Sequence, residues 1–166
     1  MQFLITAIFA AILLVGVASS CPSVCSCTDT SHGVVLHCNN RGLYSIPADL
    51  PNNTYDLRLN HNNITVIQDS TFNNLSNLRY LNLNYNDITS IQSGTFNGLS
   101  NLDSLQLENN NISVIEENAF NNLTSLGNMY LSYNEITSIQ SGTFNGLSNL
   151  DSLYLRRSSD TIKGVG

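Results

Sequence analysis

Four cysteines, Cys21, Cys25, Cys27 and Cys38, lie within eighteen residues in the spacing C-x₃-C-x-C-x₁₀-C. Two chemistries use such a set. Structural zinc is held by thiolate pairs of the C-x₂₋₄-C kind, and the x₁₀ gap speaks against it. An even count in an exported chain implies disulfides. Of the three pairings, the one joining Cys25 to Cys27 would be strained, which leaves two open. The other chemistry-bearing residues form no constellation. His61 has no serine or cysteine nucleophile set against it, and His32 and His37 make no metal spacing with carboxylates. Each histidine reads as solvated or hydrogen-bonded. Glu116 and Glu117 are adjacent rather than helix-spaced, as in a solvated loop, and there is no phosphate-cradling glycine loop. No catalytic site, metal site or cofactor is expected.

The cysteines follow an export signal. Met1 to Ser20 carries no charge, and Phe3 to Val15 is an almost unbroken apolar run, too short for a spanning helix of about 20 residues. Small residues then lead to Cys21, as in a secretory signal peptide over 1–20. Five N-x-[ST] sequons, at Asn52, Asn63, Asn74, Asn111 and Asn122, fit a glycosylated secreted protein. After residue 155 there is no spanning segment or GPI-type tail, so no membrane insertion is expected of this stretch.

Charge narrows the partner class. The 166 residues hold 12 acidic and 6 basic side chains, a net charge of −6. Three of the basic residues, Arg156, Arg157 and Lys163, sit in the last eleven positions. Nucleic acids and anionic membranes need clustered Lys and Arg, so neither is an expected partner. Only 11% of residues are charged, against about 25% in soluble domains. The 25 asparagines keep the surface wet instead.

A 24-residue period positions all of these groups. Residues 78–101 read LRYLNLNYNDITSIQSGTFNGLSN, and the frame recurs at 54, 102 and 126, with a partial fifth unit from Leu150. The consensus is LxxLxLxxNxIxxIxxxxFxxLxx. Segments 85–107 and 133–155 agree at 21 of 23 positions, the mark of a duplication within the array. Leucines two apart, such as Leu81 and Leu83, share one side of a short strand. Successive strands then pair in parallel over one continuous core. The recurring Asn62, Asn86, Asn110 and Asn134, turned inward, can bond backbone groups where the chain leaves the strand. Ile88 and Ile91, with Phe72, Phe96, Phe120 and Phe144, fill the convex half.

This consensus resembles the leucine-rich repeat family over residues 21–155. The segment CPSVCSCTDTSHGVVLHCNNRGLYSIPADLP is similar to the N-terminal cysteine cap of its extracellular members, here 21–53. Repeats ending in SGTFNGLSNL look like those of Slit-like guidance proteins, Toll-type ectodomains, matrix proteoglycans and variable lymphocyte receptors. The resemblance implies pairing of Cys21 with Cys27 and of Cys25 with Cys38. It also implies an α/β-type repeat solenoid, a horseshoe with a parallel concave sheet and an irregular convex side over 54–155, then an irregular tail, 156–166.

In such a solenoid the x positions of LxxLxLxx face the concave side. They hold five of the seven tyrosines, a residue that offers rigid amphipathic contact area at low entropic cost. The expected ligand contacts are Arg58, Tyr80, Tyr85, Gln106, Glu108, Tyr130, Tyr133 and Tyr154. The implied function is a secreted module binding an extracellular protein, peptide or glycan, or else the start of a cell-surface receptor ectodomain. Five strands about 4.8 Å apart make a face smaller than the roughly 800 Å² per partner of a standard interface, so modest monovalent affinity is expected. After Leu155 the pattern stops: Ser158 replaces the inward Asn and Asp160 stands where Ile belongs. A repeat buries its face only against neighbours, so this end is expected to show apolar surface open to self-association.

Overall fold

The computed structural model describes residues 21–156. The signal-peptide reading of 1–20, and the readings of Arg157, Ser158, Asp160 and the tail, lie outside the described residues.

The chain opens with a hairpin. Strands β1 (Ser26–Thr30) and β2 (Gly33–His37) pair antiparallel, and disulfides join Cys21 to Cys27 and Cys25 to Cys38. Between the two pairings left open by spacing, the structure has the one the family resemblance implies. β2 then pairs in parallel with β3 (Thr54–Arg58), which starts the coil. Each further turn adds one short strand: β4 (Tyr80–Asn82), β6 (Ser104–Gln106), β8 (Asn128–Tyr130) and β9 (Ser152–Tyr154). The result is one seven-stranded sheet, parallel throughout except at the β1–β2 hairpin.

The register places Leu57, Leu81, Leu105, Met129 and Leu153 side by side. All of these but Leu153, with Leu59, Leu83, Leu107 and Leu131, form the sheet side of the core. The opposite side is built by Ile88, Ile91 and their equivalents, and by the phenylalanines. Phe72, Phe96, Phe120 and Phe144 stack with successive centroids 6.1, 5.8 and 6.0 Å apart. Two-residue strands β5 (Ser90–Ile91) and β7 (Val114–Ile115) pair beneath the convex surface. The rest of that side consists of tight turns, as where Leu75 N–H bonds Phe72 C=O and Leu78 N–H bonds Leu75 C=O. Among the described residues there is no helix, so turns and these two short strands carry the chain back.

The ladder asparagines act as the sequence suggests, and each serves two turns. Asn86 Nδ2 donates to Leu59 C=O and Leu83 C=O, both at 3.0 Å, while its Oδ1 accepts from Ile64 N–H. Asn110 and Asn134 repeat this arrangement. Asn62 bonds the cap instead, donating to Cys38 C=O and accepting from Arg41 and Leu43 N–H. Burial shields these bonds from water, where an unpaired group would cost about 1–3 kcal/mol. At the C-terminal end, Leu153 and Leu155 are 39% and 40% exposed, whereas their equivalents Met129 and Leu131 are buried.

Candidate binding face

Because side chains alternate along a strand, the residues between the buried leucines line up on the concave surface. One column runs Asp56, Tyr80, Ser104, Asn128, Ser152. The next runs His37, Arg58, Asn82, Gln106, Tyr130, Tyr154. The cap thus lends His37 to the face. The repeat frame misses it because β2 stands 21 residues before β3, as in the pairing of His37 with Arg58, and not 24. Counting the hydrophobic pair Val34 and Leu36 as a strand offset from the frame is the signal that would have found it.

At the N-terminal end Arg58 is not an unpaired cation. Its Nε and Nη2 both donate to Asp56 Oδ2, at 3.0 and 2.7 Å. This hydrogen bond raises the guanidinium pKa above its ordinary value; burial opposes it and the Asp56 charge adds to it. Tyr80 stands edge-on to Tyr55, centroids 5.5 Å apart. The Tyr55 hydroxyl, first by hydrogen bonding and then by charge, raises the Tyr80 phenol above the usual tyrosine range. Tyr55 itself belongs to none of the columns counted from the sequence. Gln106 and Glu108 meet through Asn84, whose Nδ2 lies 3.4 Å from both side chains and whose Oδ1 accepts the Glu108 N–H.

The C-terminal end is aromatic. Tyr130 and Tyr154 stack almost in parallel at 4.7 Å. Along the rim where each strand ends lie His61, Tyr85, Asn109 and Tyr133, all with left-handed backbone, φ 57°, 54°, 54° and 59°. His61 stacks on Tyr85 at 4.4 Å; it is therefore a packed ring and not simply a solvated one. The eight expected contact residues accordingly fall into three places: Arg58, Tyr80 and Gln106 at one end, Tyr130 and Tyr154 at the other, and Tyr85 and Tyr133 on the rim, with Glu108 between the first group and the rim. The sequons Asn52, Asn63, Asn74, Asn111 and Asn122 are all exposed and none occupies a concave column.

A family model described as leucine rich repeat matches residues 52–112 and 100–159. The chain belongs to the leucine-rich repeat family. Its repeats are similar to leucine-rich repeat-containing protein 3 of Rattus norvegicus, 43% identical over 63 residues, which is 38% of this chain and 24% of that protein. They are also similar to leucine-rich repeat-containing protein 4 of Homo sapiens, 47% identical over 62 residues, 37% of this chain and 9% of that protein. The chain spans about a quarter or less of these curated relatives. Among solved structures, a TLR13 complex with ssRNA13 superposes with a TM-score of 0.69 at 35% identity, covering 81% of this chain and 19% of that one. Human 5T4 (Wnt-activated inhibitory factor 1, trophoblast glycoprotein) superposes with a TM-score of 0.68 at 24% identity, covering 83% and 54%; this likeness is one of fold. Leucine-rich repeat solenoids of this kind are typically interaction modules rather than enzymes. Two disulfides suit an oxidising, extracellular setting.

Proposed function

We propose that this chain is an extracellular binding module that takes a protein or glycan ligand on its concave face. One observation carries the reading. Tyr85 and Tyr133 are 50% and 42% exposed and hold left-handed backbone. A bulky residue is an outlier there, whereas Asn is at home, and Asn109 occupies the equivalent position in the intervening turn. Tyrosine at that position costs local stability and buries little, so what it offers is an outward ring. Such retained strain points toward function. Beside this rim the stacked Tyr130 and Tyr154 provide further rigid contact area. Arg58, already paired with Asp56, does not make a phosphate site. The contact set is Arg58, Tyr80, Tyr85, Gln106, Glu108, Tyr130, Tyr133 and Tyr154.

The test compares the secreted chain with the variant Tyr85→Asn/Tyr130→Ala/Tyr133→Asn, in which asparagine keeps the left-handed backbone. Captured extracellular components that are enriched by the parent should be lost from the variant while secretion is unchanged. Capture that survives the triple change would sink the concave reading.

A second reading is favoured by the short share of each relative that the chain covers. In it, the chain is the first part of a longer cell-surface ectodomain, and the next turn covers Ile139, Leu153 and Leu155. Sequencing the full transcript separates the readings: downstream repeats or an anchor support the second, and a stop after Gly166 supports the secreted module. For the secreted module, those same residues would serve self-association, which sedimentation of the secreted chain would detect as a dimer.

A further inference from the structure

The concave face has a hollow of about 530 Å³ at its N-terminal end, within the range of about 300–1,000 Å³ of small-ligand clefts. Such clefts are predominantly apolar, and this one is not. Its walls are His37, Asn39, Asn60, Asn82 and Gln106, with the Asp56–Arg58 pair and Tyr80.

The bonding of these groups is half complete. Asn82 Oδ1 accepts the Asn84 N–H at 3.0 Å, and among the described residues the other end of its amide makes no hydrogen bond. Gln106 Oε1 accepts from Asn84 Nδ2, leaving its NH₂. Arg58 spends Nε and Nη2 on Asp56 and keeps Nη1. Asp56 uses Oδ2 for both bonds and keeps Oδ1. The hollow thus presents several donors and at least one strong acceptor, held by neighbouring turns, with no net charge from its one ion pair. Beside them stands the Tyr80 ring, braced by Tyr55.

Resting on the concave reading above, we infer that this hollow binds a neutral saccharide unit. A hydroxyl donates and accepts at once, so a polyol satisfies a wall that mixes unspent amide NH₂ groups with an unspent carboxylate oxygen. An anionic ligand gains little, because Arg58 is already neutralised by Asp56. An apolar peptide side chain would strip water from these groups and return no hydrogen bonds. The Tyr80 ring supplies the apolar flank against which the C–H face of a pyranose lies.

The experiment presents the secreted chain to an array of neutral, sialylated and sulfated oligosaccharides, then titrates the bound probes in solution. Binding of neutral probes is expected, weakened about tenfold by Asn82→Ala and again by Gln106→Ala. Val114→Ala, on the convex strand β7, should bind as the parent does. Thermal unfolding of each variant checks that both concave substitutions leave the fold intact. Preference for sulfated probes, or affinity for neutral probes unmoved by both concave substitutions, would overturn the inference. So would the absence of any saccharide binding. If in that case the tyrosine triple variant still abolishes capture of a protein, the concave reading stands without the saccharide site.

Discussion

Asn86 Oδ1 accepts the backbone N–H of Ile64, which belongs to the preceding turn, at 3.1 Å, while its Nδ2 reaches Leu59 C=O of that same turn. One amide therefore closes the gap left where two successive strands end. The bonds lie in the core, so none is replaced by water when the side chain is removed. Asn86→Ala is expected to cost about 3 kcal/mol, read as a lower midpoint in denaturant unfolding. Asn101→Ala, which removes an exposed bond to Ser76 C=O, should stay within about 0.5 kcal/mol. Equal effects would show that the ladder carries no special load.

The phenylalanine spine makes a graded prediction. Phe120 is fully buried between Phe96 and Phe144, whereas Phe144 is only partly buried. Phe120→Ala should cost about 3–5 kcal/mol. Phe144→Ala should cost roughly half as much, because less apolar area is returned to water. Thermal melts of the two variants would decide it, and a larger loss at Phe144 would place the least stable part of the spine elsewhere.

Gly98 tests the packing between convex turns. Its φ is +91°, and an added Cβ would stand 2.6 Å from Phe72 O and 2.7 Å from Asn73 Cα. Gly42 also has positive φ, +64°, with nothing within 4 Å of the same atom. Gly42→Ala should therefore cost only the conformational term, about 1 kcal/mol. Gly98→Ala adds a backbone clash and should cost at least about 2 kcal/mol. Comparing their urea midpoints checks the difference directly.

Tyr80 should ionise above the ordinary tyrosine range, since its neighbour Tyr55 raises its pKa. A spectrophotometric phenol titration of Tyr55→Phe should bring Tyr80 back toward the ordinary value near 10. The sign for stability follows from the upward shift. Whatever the contact contributes is complete below the ordinary tyrosine range and is lost as pH rises through the raised value. A Tyr80 titration unchanged by Tyr55→Phe would remove Tyr55 as the cause.

Much of this molecule is legible from period alone. A 24-residue frame with leucines two apart already assigns Leu81 and Leu83 to one side of a strand and leaves Tyr80 and Asn82 on the other, because a strand has only two faces. It also turns Asn86 inward, since the chain must leave the strand at that point with unpaired backbone groups. Tertiary structure was needed wherever an offset or a neighbour departs from the frame. The cap strand joins the sheet 21 residues before β3, which brings His37 beside Arg58. Asp56 turns onto Arg58 and cancels its charge, although both merely alternate along one strand in the sequence. Tyr85 and Tyr133 hold a left-handed backbone that no residue preference would assign to tyrosine. The composition, the repeat and the core follow from local chemistry repeated at a fixed interval. The character of the face, polar at one end and aromatic at the other, follows from which turns lie side by side, and that is decided only when successive turns stack in register.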